Sequence, residues 1–307
     1  SNLVTFLGNH DVGRVGFILG SKRIQPPAQL LPRANLANAL LYFSRGIPVV
    51  YYGDEVGMTG TNAGNDQFAR QDMFATQVEI WKNEIRIGGS PIGDGDAFQA
   101  TNTSPIARYL KQISELRRTN PGLANGVMQI RHSLNSLFVI SKKDPLENRE
   151  YIVAFNNSDS DESVDITSAT SEGGWQILLG DSDITADSNK LSFTVPALST
   201  VIFKARNTID VVAVKIGKLK SVFDDMTGFY QVKADLNSAD LLKVEFFTRT
   251  LGSTKWTSNG VDTGAPYSIF LDPLDFPKKK IEIKAVATNS KGKTFVLPLT
   301  KLTFPAP

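Results

Sequence analysis

Near residue 126 this 307-residue chain changes its periodicity, and few architectures accommodate both halves in one layer. Before that point, apolar residues recur at helical spacing between short apolar runs. After it, short segments with period-two alternation continue to the end. The first pattern belongs to α/β layers, in which strands and helices alternate, and the second to all-β modules whose strands keep one face in the core. No repeat of fixed period links them. At roughly 150 residues per domain, the length allows two domains, or three when two are small β modules.

In the first part, residues 3–7 form a β-rich apolar run ending at Gly8, followed by a polar loop. Residues 32–44 carry Leu36, Ala37, Leu40, Leu41 and Phe43 at helical spacing. Pro32 suits a first helical turn, and Gly46 with Pro48 stops the helix. Residues 48–52, bounded by Gly53, read as a strand buried on both faces of a parallel sheet. A long loop rich in Gly and Asn runs from 57 to 103, and a helix follows over 105–119. That helix shows Ile106, Tyr109, Leu110, Ile113 and Leu116 on one side and ends before Asn120-Pro121-Gly122.

Beyond the switch, strands are predicted over 127–131, 136–141, 150–156, 175–179, 191–195 and 200–204, which describes one β-sandwich. A second module begins near residue 210, with strands over 211–216, 229–234, 243–250, 267–271, 280–288 and 294–299 and a turn at Asn289-Ser290-Lys291-Gly292. It reads as an immunoglobulin-like sandwich without the disulfide.

Composition narrows the chemistry. Hydrophobic residues make up 41% and charged residues 21%, globular values that exclude disordered and collagen-like chains. Lys plus Arg number 33 against 31 Asp plus Glu, a net charge of +2 that predicts neither nucleic-acid nor membrane-surface binding. The absence of cysteine excludes disulfides, thiolate catalysis and cysteine-type zinc sites. With two histidines, His10 and His132, carboxylates become the expected chemical groups. No apolar run reaches the roughly 18 residues of a membrane helix. No signal sequence opens the chain; Ser1-Asn2 reads as an expression scar, and the residues after it as the middle of a domain.

Phe6-Leu7-Gly8-Asn9-His10-Asp11 puts a His–Asp pair where a strand gives way to its loop, the edge at which parallel α/β folds bind ligands. An Asn or Asp in that place equally serves to cap the next helix. The hexapeptide resembles the fourth conserved region of the α-amylase family, glycoside hydrolase family 13, in which Asn-His-Asp stands at the end of the seventh strand of a (β/α)8 barrel. Gly46-Ile47-Pro48-Val49-Val50-Tyr51-Tyr52-Gly53-Asp54-Glu55-Val56-Gly57 is similar to the family's eighth strand, and Gly64-Asn65-Asp66 with Arg70 to the loop after it. Leu116-Arg117-Arg118-Thr119-Asn120-Pro121-Gly122-Leu123 is similar to the end of the eighth helix. Trp256, Gly260, Asp262 and Ala265-Pro266-Tyr267 resemble an accessory immunoglobulin-like module.

The resemblance implies a multidomain chain: a partial (β/α)8 barrel, its last two βα units, followed by two all-β sandwich domains. The implied bounds are 1–125 for the barrel portion, 126–206 for a β-sandwich C-terminal domain of amylase type, and 207–307 for the immunoglobulin-like module. The implied chemistry is retaining cleavage of starch-type α-glucan by paired carboxylates through an oxocarbenium-like transition state. Asp11 maps onto a third carboxylate that grips sugar hydroxyls and stabilises the transition state. His10, Asn9, Arg14, Asp66 and Arg70 are the substrate-binding candidates, with Arg14 the one that shapes the loop. A plain surface ion pair is the alternative for Asp66 and Arg70.

The nucleophile and general acid of the family sit on the fourth and fifth strands, upstream of the Asn-His-Asp region. No other stretch replaces them: Asp94-Gly95-Asp96 and Asp224-Asp225 read as turns, and Asp54-Glu55 as hydrogen-bonding structure. The expectation is therefore a part of a longer hydrolase, inactive alone, whose open barrel face is covered by the missing barrel half or by a second copy. The expected partner is an α-glucan, with no nucleic acid and no membrane span. No cofactor or metal is expected in this chain; calcium is an expectation for the longer parent, whose usual ligands lie upstream. Polymeric glucan is too large to import, so a secreted, periplasmic or cell-surface location is expected.

Two rivals remain open. One is a non-catalytic carbohydrate-binding or cell-surface protein built on the β modules; the other keeps the family but performs transglycosylation or α-1,6 cleavage. Trp81 is a candidate edge of a glucan cleft, whereas Trp175, Trp256, Met58 and Met73 read as packing groups. His132 reads as a strand residue, and Lys278-Lys279-Lys280 as a solvated turn.

Overall fold

The computed structural model describes residues 3–21, 27–60, 66–144, 146–171, 173–209, 214–238, 242–276, 280–289 and 291–304. Gly64, Asn65, Lys278, Lys279, Ser290 and the start of the strand predicted at 211 lie outside the described residues.

The chain opens with strand β1 (Val4–Phe6), helix α1 (Val15–Ser21), helix α2 (Pro27–Phe43) and strand β2 (Ile47–Val49). β1 and β2 pair in parallel, with Thr5 opposite Pro48, as a strand–helix–strand crossover requires. The pair is shorter than predicted, and it is not buried on both faces. Val4, Phe6, Ile47 and Val49 are 43–58% exposed, leaving an apolar face open to solvent. Two further differences concern helices. α1 occupies the stretch predicted as loop, and Pro32 lies inside α2 instead of starting it. A proline ring at that place removes one backbone donor and crowds the carbonyl of the preceding turn. Helix formation there rests on the packing of Ala34, Leu36, Ala39 and Phe43 into the core.

The stretch after β2 is irregular, as its glycines predict, broken by 3-10 turns at Asp54–Val56 and Asp66–Ala69 and by the one-turn helices α3 (Glu79–Lys82) and α4 (Ala97–Ala100). Helix α5 (Pro105–Thr119) has the predicted bounds, and a short α6 (Pro121–Asn125) follows. Ser104 caps α5 by accepting from the Ala107 N–H at 3.3 Å, with Pro105 next to it where a missing N–H costs nothing.

Strands β3 (Val127–Leu134), β4 (Leu137–Lys143), β5 (Arg149–Asn156), β6 (Glu162–Thr167), β7 (Trp175–Leu179), β8 (Ile184–Asp187), β9 (Lys190–Val195) and β10 (Thr200–Thr208) make two sheets. One has the order β3-β4-β5-β10-β7 and the other β6-β9-β8. Leu137, Val139, Ile152, Ala154, Val201 and Phe203 pack between the sheets with Val164, Leu191 and Phe193. The opposite face of the five-stranded sheet contributes Ile140, Tyr151, Val153, Phe155 and Ile202 to a second core shared with Phe43 of α2 and Ile106, Leu110 and Ile113 of α5. Each such side chain contributes roughly 1.5–3 kcal/mol on burial, so this shared layer ties the helical part to the first sandwich.

Strands β11 (Lys215–Asp224), β12 (Phe229–Asn237), β13 (Lys243–Thr250), β14 (Thr257–Asp262), β15 (Ser268–Leu271), β16 (Lys280–Thr288), β17 (Thr294–Val296) and β18 (Thr300–Thr303) complete the chain. They form a sheet β11-β12-β15 and a sheet β14-β13-β16-β17 with β18 also on β16. Val232, Val244, Phe246, Ile269, Ile283 and Ala285 fill the space between them. The molecule is thus mostly β, with few helices and several sheets.

Candidate carbohydrate site

At the carboxyl end of β1 the backbone turns back on itself. The Asn9 N–H donates to the Gly13 carbonyl and the Gly13 N–H to the Asn9 carbonyl, both at 3.1 Å. Asn9 Oδ1 also accepts from the N–H groups of Asp11 and Val12 at 2.8 Å each. Gly13 closes the turn at φ +85°, in the left-handed region that glycine enters without cost. Asn9 therefore spends its side-chain oxygen building the turn. What the turn presents is His10 and Asp11, whose side chains are 62% and 65% exposed with His10 Nε2 3.2 Å from Asp11 Oδ2.

The second half of the site comes from the loop after β2. Arg70 donates from Nε to the His10 carbonyl at 3.2 Å, pairs through Nη2 with Asp66, and lies 3.6 Å from Asp11 Oδ1. His10, Asp11, Asp66 and Arg70 thus converge from two separate loops. Beside them a cavity of about 80 Å³ is bounded by Asp11, Gly13, Thr59, Gly60, Asp66 and Phe68.

Arg14 is among the residues bounding this cavity but stands apart from the exposed cluster. Its side chain is enclosed: Nε donates to Gln71 Oε1 at 2.7 Å, and Nη1 to the Tyr52 carbonyl at 2.7 Å and Asp54 Oδ1 at 2.8 Å. Its guanidinium also sits 4.6 Å from the Tyr51 ring centre. These bonds hold the loop, the shaping role the sequence gives Arg14, and leave little of the side chain open to a ligand. Burial pushes the Asp54 carboxyl up to about 6 against the pull of Arg14, with the nearby Glu55 carboxylate adding to the rise. Glu55 itself accepts from the Gly53 N–H at 2.7 Å, the structural role its sequence context indicated.

Beneath the surface cluster the network continues through residues that sequence reasoning missed. Gln71 Nε2 donates to both oxygens of buried Glu84, at 2.7 and 2.8 Å. Glu84 Oε1 also accepts from the Thr59 N–H at 2.9 Å, the Thr59 hydroxyl at 2.8 Å and the Gly60 N–H. A buried network of this kind fixes the backbone on which it stands. Here it fixes Thr59, Gly60 and Gln71, which flank the Asp66–Arg70 turn.

The remaining sequence candidates fall elsewhere. Trp175 is buried between the sheets of the first sandwich. Trp256 lies between the Arg249 and Lys284 cations, at 4.5 and 4.4 Å. Trp81 is half-buried on α3 and does not line the cavity. His132 is half-buried on β3. Met58 and Met73 pack with Val56 and Ala97. Asp94 pairs with Lys82 at 2.7 Å, Asp96 caps α4, and Asp224 caps a turn at Met226. Among the described residues no three His, Asp or Glu side chains gather as a metal site, and no helix is long and apolar enough to cross a membrane.

A cluster of exposed carboxylates, an imidazole and a guanidinium at the end of a parallel strand offers both acceptors and donors, as a polyhydroxylated ligand needs. Residues 1–88 match the model of the alpha amylase catalytic domain. The α-amylase of Streptomyces lividans is 35% identical over 302 residues, covering 95% of this chain and 32% of that protein. The α-amylase SusG of Bacteroides thetaiotaomicron is 29% identical over 141 residues, 42% of this chain and 18% of its own. Among solved structures, the α-amylase of Geobacillus thermoleovorans complexed with acarbose overlaps 67% of this chain and 39% of its own, at 22% identity and a TM-score of 0.49. The chain belongs to the α-amylase family. It spans about a third of the length of the Streptomyces relative.

Proposed function

We propose that this chain supplies one wall of the sugar-binding cleft of an α-glucan hydrolase that works by retaining double displacement. The observation that carries the reading is the convergence of His10, Asp11, Asp66 and Arg70 at the carboxyl end of β1. In a parallel α/β fold that edge binds the ligand. Asp11 accepts from hydroxyls of the sugar at the cleavage point, and such bonds strengthen as the ring flattens toward the oxocarbenium ion. His10 donates to the same sugar, while Asp66 and Arg70 hold its neighbour. β1 and β2 with their helices are read as the closing units of a (β/α)8 barrel. The exposed apolar face of β1 and β2 is the surface that further units cover. The last module is read as immunoglobulin-like, the location as exported, and no cofactor is assigned to this chain.

The nucleophile and the general acid lie outside the 307 residues in this reading, so the chain alone turns over no substrate. A reducing-sugar assay on soluble starch tests both halves. The isolated chain is expected to be inactive. In a polypeptide that also carries the catalytic pair, Asp11→Asn is expected to lower kcat by at least about 10²-fold, the scale of losing one group that acts chiefly in the transition state. Turnover by the pure chain, or an Asp11→Asn enzyme with unchanged kcat, overturns the proposal.

A further inference from the structure

We infer that the cavity where the helical part, the first sandwich and the last module meet binds a small oxyanion of the phosphate or carboxylate class. Its volume is about 500 Å³, and Arg45, Arg117, Lys142, Asn125, Gly126 and Thr263 are among its lining residues. That size falls in the range of small-ligand pockets, roughly 300–1,000 Å³.

Three cations face this space, and its lining contains no carboxylate. Arg45 Nη2 donates to the Met128 carbonyl at 3.2 Å and the Thr263 hydroxyl at 3.0 Å. Arg117 donates to the carbonyls of Tyr42, Leu123 and Gly46, the last at 3.0 Å. Lys142 Nζ donates to the Phe43 carbonyl at 3.1 Å and to that of Leu123. Tyr42 and Phe43 end α2, and Leu123 lies in α6, so part of the positive charge meets helix C-termini. A helix end carries about half a negative charge. The end of α2 therefore offsets about half of one positive charge, and the space stays positive.

The excess is felt at Lys142. The residue is 1% exposed, and burial, followed by Arg117 and Arg45, pulls its ammonium down to about 7, with no acid among the groups acting on it. Holding the Lys142 ammonium out of water beside two further cations is costly unless a countercharge joins it. An oxyanion supplies that countercharge, and the planar forks of Arg45 and Arg117 suit its geometry. Binding also restores a proton to Lys142, so anion uptake and proton uptake are coupled.

The test titrates inorganic phosphate and, separately, acetate into the 307-residue chain near pH 7 by calorimetry in two buffers of different ionisation enthalpy. Saturable binding of at least one anion with proton uptake is expected, and the tighter of the two names the source. Arg45→Gln and Lys142→Met are each expected to weaken it at least about tenfold, and Lys142→Met to abolish the proton uptake. Arg45 is exposed, so its variant retains the fold and carries the test even where Lys142→Met does not fold. No saturable binding of either anion, or affinity unchanged in Arg45→Gln, overturns the inference.

Discussion

Arg70 links Asp11 to Asp66: one guanidinium nitrogen lies 3.6 Å from the first carboxylate and pairs with the second. The two acids belong to different loops, so the arginine sets their spacing.

Replacing it separates binding from stability. All three side chains are 41–65% exposed, and pairs of that kind contribute about 0–1 kcal/mol. Arg70→Ala is expected to shift the midpoint of thermal unfolding only slightly. Under the proposed function, in a polypeptide that also carries the catalytic pair, it is expected to raise KM for maltooligosaccharides about tenfold or more. A large loss of stability with unchanged KM would assign Arg70 a structural role instead.

Arg14 predicts the opposite split. Arg14→Met leaves Asp54 enclosed and unpaired and breaks the bond to Gln71. Denaturant unfolding near pH 8 is expected to show a loss of about 3–5 kcal/mol, the cost of removing one partner of a buried pair. Arg14→Lys is expected to recover little, because an ammonium cannot reach three acceptors in the plane of a fork.

Asp54 makes the same region sensitive to pH. Its carboxyl rises from 3.8 to about 6 in the fold, so between those values the native state holds a proton that the unfolded chain has released. Its contribution to stability is present below the lower value and is lost as pH rises through about 6. Urea midpoints between pH 4 and pH 7 are expected to show this decline, and Asp54→Asn to lack it.

Glu150 of β5 is a further buried acid. It is 0% exposed, pairs with Arg131 at 3.1 Å, accepts from the Ser141 hydroxyl, and accepts from the N–H groups of Ala169 and Thr170 at 2.7 and 2.9 Å. Glu150→Gln removes the charge while keeping the volume. A loss of about 3–5 kcal/mol is expected by calorimetry, without effect on glucan binding.

The parts that were legible in the sequence share a cause. α5 announces itself through an N-cap serine, a first-turn proline and one apolar face; β13 and β16, central in their sheet, alternate strictly. β6, β8 and β14 went unseen, and all three are short edge strands rich in polar residues. α1 is short and carries Gly16 and Gly20, so its helical spacing was masked. Each half of the surface cluster was readable because its residues, His10-Asp11 and Asp66 with Arg70, lie close together in sequence. Gln71 and Glu84 were not, because a buried amide–carboxylate contact leaves no periodic trace; only the fold brings them together.

The centre of the sheet β3-β4-β5-β10-β7 is covered on both faces, by helices on one side and by the second sheet on the other. A joint that flexes needs a seam that water can enter, and the shared core of Phe43, Ile113, Ile140 and Val153, each fully buried, offers none. Among the described residues, Ile209, whose N–H donates to the Asn148 carbonyl at 2.8 Å, is the last with a backbone hydrogen bond back to this part of the chain. An exchange of parts between related enzymes that cuts near residue 126 would therefore split a core in two. A cut beyond Ile209 would leave every strand of that sheet with the layers that hold it.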